Sequence, residues 1–233
     1  MKERFAVAAV LALLCMVGGS AFAGWTVVNL NPAGLTWSYA HGVSGGQQVG
    51  RASIGNGDHA GLWSGSAGSW VDLNPAQATM SHAVGVSAGQ QVGYALIGDD
   101  YHASLWSGTA GSWADLNPAG ATASDAKGVS RGRQVGSAQI GGCGHAGLWS
   151  GTAETWVDLH ALLPAGAYSY SETRSIEVSG GEIWVAGYAI PTSTSQDNAM
   201  LWHYTAEPVP EPSSLIALAG ALVSLLGLRR RRG

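Results

Sequence analysis

Three histidines, His59, His102 and His145, stand 43 residues apart in a 233-residue chain, each inside the string His-Ala-x-Leu-Trp. Three imidazoles are a familiar donor set for zinc or copper, which makes them the candidate metal ligands. Their regular spacing argues the other way. Any repeated residue recurs at equivalent places, and a histidine bonded to a neighbouring strand would recur just as well. No cofactor is therefore expected. Asp58, Asp99 and Asp100 precede two of the histidines, but the third copy reads Gly141-Gly142-Cys143-Gly144 there, and no calcium-loop spacing is met. Asp72, Asp115 and Asp158 recur in the pair Asp-Leu, where an aspartate ahead of a turn accepts backbone N–H groups. Nucleophile-elbow, phosphate-loop, HExxH and Cys-x-x-Cys patterns are absent, so no catalytic residue is assigned and a non-enzymatic role is expected. The polar residues that break the repeat, Glu172, Arg174, Glu177, Glu182 and His203, mark where a lyase or hydrolase would have to place its site.

The elements that must position these residues come from one repeating unit. Residues 29–71, 72–114 and 115–157 align without a gap, and 25 of the 43 positions are identical in all three copies. A looser fourth copy covers residues 158–204. Each copy divides into four strand-length apolar segments separated by Gly, Asn, Asp and Ser, and none has helical periodicity. In the second copy they are residues 83–87, 91–97, 102–107 and 112–116, with connectors Ala88-Gly89-Gln90, 98–101 and 108–111, and with Pro118 ending the last. In the second segment Gly93, Ala95 and Ile97 recur in every clean copy, whereas Tyr94 and Leu96 are replaced by Arg51 and Ser53 or by Ser137 and Gln139. Side chains alternate faces along a strand, so one face is held by packing and the other is free to vary. Any function must lie where the copies differ.

Four antiparallel strands in 43 residues match a β-propeller blade. The expected fold is all-β, a four-bladed propeller, with the small-residue Gly-Val-Ser strand innermost. The tryptophans Trp63, Trp106 and Trp149, and Trp70, Trp113 and Trp156, pack between blades. A third strand lies away from the axis, so His59, His102 and His145 would not converge there. The last copy offers three strands, residues 175–179, 182–190 and 198–204. Residues 25–30 match a fourth strand with nothing before it, so the N-terminal strand is expected to close the ring against residues 198–204, leaving no free edge. The strings His-Ala-x-Leu-Trp, Gly-Val-Ser, Gln-Val-Gly and Asp-Leu resemble the HAF extracellular repeats across residues 25–204. The phenylalanine of the name is missing in every copy, and the fourth copy has Asn198-Ala199-Met200. That family brings no catalytic activity with it.

The two ends read as an address. Lys2 and Arg4 precede an apolar run over residues 5–17, and Ala21-Phe22-Ala23 offers a small-x-small cleavage site ahead of Gly24, so residues 1–23 are expected to be a signal peptide. Residues 24–206 form the repeat domain and residues 207–233 a tail. In the tail Val209, Pro210, Glu211 and Pro212 precede an uncharged stretch that ends in Arg229, Arg230, Arg231 and Arg232. The apolar residues 215–228, as a helix, would reach about 21 Å, short of a hydrocarbon core of roughly 30 Å unless the flanks stretch it. The arginines would stay cytoplasmic. Pro-Glu-Pro, a short apolar helix and a terminal arginine cluster resemble the PEP-CTERM sorting signal. That resemblance implies processing by a membrane exosortase, transient inner-membrane anchorage with the C-terminus cytoplasmic, and delivery to the cell surface or matrix, often alongside exopolysaccharide. Residues 24–208 carry five basic against thirteen acidic residues, a net charge of −8, which excludes a nucleic-acid partner. Cys143 is the only cysteine after residue 15, so the exported body has no intramolecular disulfide.

Overall fold

The structure, a computed structural model, describes residues 24–205. The signal peptide, the Pro-Glu-Pro motif and the apolar C-terminal stretch lie outside the described residues. Four antiparallel sheets follow one another along the chain. Sheet 1 holds β1 (Ser38–Ser44), β2 (Gln47–Ile54), β3 (Gly57–Trp63) and β4 (Val71–Asp72). Sheet 2 holds β5 (Ala78–Ser87), β6 (Gln90–Ile97), β7 (Asp100–Trp106) and β8 (Ala114–Asp115). Sheet 3 holds β9 (Ser124–Ser130), β10 (Arg133–Ile140), β11 (Cys143–Trp149) and β12 (Val157–Asp158). Sheet 4 has three strands, β13 (Tyr168–Ser179), β14 (Glu182–Pro191) and β15 (Asn198–Thr205). Within each sheet the strands lie in chain order, so the fold is all-β and built from consecutive hairpins.

The hairpins are tighter than the spacing alone suggests. Ala88 and Gly89, at φ of 49° and 80°, form the whole loop between β5 and β6. Two left-handed residues suit the right-handed twist of the flanking strands. The fourth segment is also different from the expected strand over 112–116. A one-turn 3₁₀ helix, Ala110–Ser112, carries the chain to a two-residue β8, after which the Leu116 N–H donates to the Ala103 carbonyl at 2.8 Å.

The core consists of three apolar clusters, one at each junction between successive sheets. Val49, Ala60, Leu62 and Leu73 of sheet 1 and its exit meet Ala83 and Trp106 of sheet 2. Val92, Ala103, Leu105 and Leu116 meet Ala126 and Trp149 in the same way, and Val135, Ala146, Leu148 and Leu159 meet Val185 and Trp202. The alternation read in the sequence is thus the alternation between one junction and the next.

The expected closure is not formed. Residues 24–30 carry no strand, Trp25 is fully exposed, and β15 ends sheet 4 with a free edge. The physical reason is local. Leu30 and Asn31 lie beside Trp63 and Ser38 of sheet 1, and the Asn31 amide bonds Leu35 within its own segment rather than any residue of β15. Among the described residues, no apolar cluster joins sheet 4 back to sheet 1.

Candidate functional site

The first strand of every sheet carries a bulge at the same place. Opposite β2, β6, β10 and β14 the extra residues are His41, Val84, Lys127 and Arg174. A bulge bends its strand and re-aims the extra side chain. The bulge also explains an invariant glycine, because a Cβ on Gly50, Gly93, Gly136 or Gly187 would lie 1.8 to 2.0 Å from the carbonyl oxygen of Tyr39, His82, Asp125 or Glu172. Those four residues, the four bulged ones and the residues after the glycines (Arg51, Tyr94, Ser137, Tyr188) all occupy positions where the copies differ. The fold therefore gathers the variable side chains along one seam.

At the sheet 1–sheet 2 end, Arg51 stacks over Tyr39, 5.3 Å from the ring centre, and its Nη1 lies 2.8 Å from His82 Nε2. Asp58 Oδ2 is 3.4 Å from Arg51 and 3.3 Å from His82 Nε2, and the Tyr94 hydroxyl lies 2.5 Å from His82 Nδ1. Arg51 can only donate, so the neutral ring accepts from it on Nε2, and Nδ1–H donates to the Tyr94 hydroxyl. Burial first, and then the Arg51 guanidinium, push the His82 pKa down to about 4. His82 is therefore neutral at physiological pH.

Further along, sheets 2, 3 and 4 enclose a cleft of about 340 Å³ lined chiefly by Tyr94, Tyr101, Asp125, Lys127, Tyr170 and Glu172. Lys127 is ion-paired with Asp125 and lies 4.0 Å from Glu172 Oε1. The Ser137 hydroxyl donates to Asp125 at 2.8 Å. Glu172, only 6% exposed, accepts from Tyr170 at 2.7 Å and Tyr188 at 3.1 Å, both on Oε2. Burial, and then the glutamate it donates to, hold the Tyr170 hydroxyl far above its ordinary pKa. Arg174 Nε stands 2.9 Å from Glu172 Oε1, yet that oxygen is buried and receives no aligned hydrogen bond. Gly144 makes room for the wall: a Cβ there would meet the Tyr170 ring at 2.2 Å.

The sequence-derived candidates fall in several places. Glu172 lines the cleft, and Arg174, outside the lining, pairs with it. Glu177, Glu182 and His203 are not among its lining residues, and the last two form a separate pair at 3.8 Å. His59, His102 and His145 do not meet. Each bonds the carboxylate of its own sheet, Asp72, Asp115 or Asp158, at 2.7 to 2.8 Å, where the sequence suggested a backbone partner. The other oxygen of Asp72 and Asp115 accepts the N–H of Asn74 and Asn117 at 2.8 Å, and Asp158 accepts that of His160 at 2.9 Å. These pairs stitch the fourth strand to the third. Cys143 is exposed and free. Sequence reasoning passed over Asp125, Lys127, His82, Tyr94 and Tyr101 as members of a site. The available signal was their difference from copy to copy at first-strand and second-strand positions. No protein-family model matches the chain, and no curated protein matches it.

Proposed function

We propose that this chain is an exported, non-enzymatic binding module whose ligand is an extracellular glycan. The observation that carries the reading is the convergence of side chains that differ from copy to copy, Tyr94, Asp125, Lys127, Ser137 and Glu172, on one cleft. Lys127 stands against Asp125 and Glu172 on the lining, and Arg174 pairs Glu172 from outside it, so the cleft suits a neutral polyhydroxyl ligand better than an anion. Tyr94, Tyr101 and Tyr170 offer flat faces for the C–H side of a pyranose, and the charged groups offer donors and acceptors to its hydroxyls. The four sheets act as propeller blades, with the bulged first strands facing the ligand. Export rests on the signal-peptide pattern of residues 1–23. Sorting rests on Val209, Pro210, Glu211, Pro212 and Arg229 to Arg232, recognised by an exosortase after transient anchorage in the inner membrane, before release to the surface or matrix.

A glycan array probed with the purified chain tests the binding reading. Binding that falls at least tenfold in Glu172→Gln and in Lys127→Ala supports it, and the absence of any bound glycan overturns it. A second reading, a glycan-cleaving enzyme, is favoured by one feature: Asp125 and Glu172 bring two carboxylates into one cleft, the equipment of glycoside hydrolysis. New reducing ends or unsaturated products from a bound glycan, abolished by Glu172→Gln, would establish that reading instead.

A further inference from the structure

Equivalent junctions show what the two ends of the array lack. At each of the three junctions an alanine N–H of one sheet donates to a serine of the next: Ala60 to Ser81 at 3.0 Å, Ala103 to Ser124 at 2.9 Å and Ala146 to Ser171 at 2.9 Å. The carbonyl of the same alanine accepts from the leucine after the fourth strand, Leu73, Leu116 or Leu159, at 2.8 to 2.9 Å. Ser81 and Ser124 donate onward to Asn74 and Asn117 at 2.6 and 2.7 Å. A fourth-strand tryptophan, Trp113 or Trp156, packs against the first and second clusters, and the third cluster has none.

Both halves of a fourth junction are present but apart. On sheet 4, Ala186, Ala199 and Leu201 stand in the register positions of Val135, Ala146 and Leu148, and all three are exposed, Leu201 by 67%. On sheet 1, Ala40 and Val43 stand where Ala83 and Val86 pack, and Val43 is 74% exposed. Asn31 already holds the place of Asn74: its Nδ2 donates to Leu35 at 2.9 Å, as that of Asn74 does to Ala78 at 3.0 Å. Its Oδ1, which should accept from a serine at the position of Ser38, is buried with no partner. β15 lacks a fourth strand, and beside it opens an apolar cleft of about 570 Å³ lined by Leu148, Val157, Leu159, Leu162, Ile183 and Trp202. Residues 24–30 are the converse, a fourth-strand sequence without a sheet. Val28-Asn29-Leu30 repeats Val71-Asp72-Leu73, with the exposed Trp25 and Val27 just ahead of it.

We propose that a second copy of this chain completes the array head to tail. Residues 25–30 of one copy add to β15 of the next as its fourth strand, and Trp25 and Val27 enter the 570 Å³ cleft. The Leu30 N–H donates to the Ala199 carbonyl, and the Ala199 N–H donates to Ser38, whose hydroxyl then satisfies Asn31 Oδ1. The occupant is a second copy because each chain's own N-terminal segment sits on sheet 1, against Trp63, while Leu201 stays uncovered. Such an interface joins unlike surfaces, so it repeats until a ring closes, and it removes the free sheet edge. It is independent of the glycan reading, since Val28 and Leu201 lie outside that cleft.

The test is a disulfide placed by the repeat. Val71 faces Leu62 across β4 and β3, so Val28→Cys should face Leu201→Cys of the next copy. Both changes are made in the full chain with Cys15 and Cys143 replaced by serine. Interchain disulfides on a non-reducing gel that collapse to one chain on reduction are expected. In parallel, Leu201→Asp should lower the light-scattering mass of the otherwise unmodified protein to that of a single chain. A disulfide formed within one chain means that the array closes on itself and overturns the proposal. Free thiols in an assembled protein overturn it too, as does a single-chain mass for the unmodified protein at high micromolar concentration.

Discussion

Gly93 shows how one residue type can be read in the sequence while its reason cannot. Its recurrence with Gly50 and Gly136 marks a constrained position, but the constraint is a carbonyl oxygen, that of His82, 1.9 Å from where a Cβ would be. The backbone across the bulge leaves no room for a methyl group. Gly93→Ala is expected to cost about 3 kcal/mol, read as a lower urea midpoint with an unchanged denaturant slope. His82 yields a pH prediction. Its pKa is 6.5 in the unfolded chain and about 4 in the fold, so between those values the unfolded chain binds a proton that the folded chain refuses. Its contribution is complete above pH 6.5 and is lost as pH falls toward 4. His82→Gln should flatten that part of the curve of urea midpoint against pH. The histidines that drew attention first, His59, His102 and His145, are bonded to aspartates of their own sheets, and adding zinc to the full chain should leave its melting temperature unchanged.

At the scale of elements, the strands were largely legible. The segments read over residues 182–190 and 198–204 match β14 and β15 to within a residue, whereas 175–179 covers only the end of β13, which begins at Tyr168 and buries Ser171, Glu172 and Thr173. Period-two alternation and glycine-bearing turns are local signals, written within each copy. The fourth strand was less legible, since only two of its residues pair and a 3₁₀ turn precedes them. The tryptophan before it packs on the neighbouring strand, Trp70 on Gly61, while Trp113 Nε1 donates to Ser104 at 2.9 Å. The junctions between sheets are the energetic joints. Ser124 is 5% exposed, and Ser124→Ala would leave the Ala103 N–H and Asn117 Oδ1 buried without it. A loss of about 2 kcal/mol is expected for that loss of two bonds, against about 4 kcal/mol for emptying the site of Trp106. Paired thermal melts of Ser124→Ala and Trp106→Ala check that order.

At the scale of the whole molecule, Ser38→Ala is the informative counterpart of Ser124→Ala. In a single chain the Ser38 position has no sheet to receive, so the change should leave the melt of a dilute sample unchanged while weakening assembly. Sedimentation at two concentrations separates the two effects. Mass spectrometry of exported protein tests the address: a mature chain that begins at Gly24 and lacks Arg229 to Arg232 is expected, and an intact arginine tail on surface protein would rule out exosortase processing. By itself, the sequence determined the repeat, the hairpin order, the alternation of packed and variable positions, and the absence of a catalytic motif, because all of these are encoded within one 43-residue unit. Tertiary structure alone decided two further things. It brought Tyr94, Asp125, Lys127 and Glu172, scattered over some eighty residues, to one cleft through the equivalent placement of their bulged strands. It also left residues 24–30 away from β15. Closure depends on how far each sheet rotates against the next, a quantity that accumulates over the array and is written in no single copy.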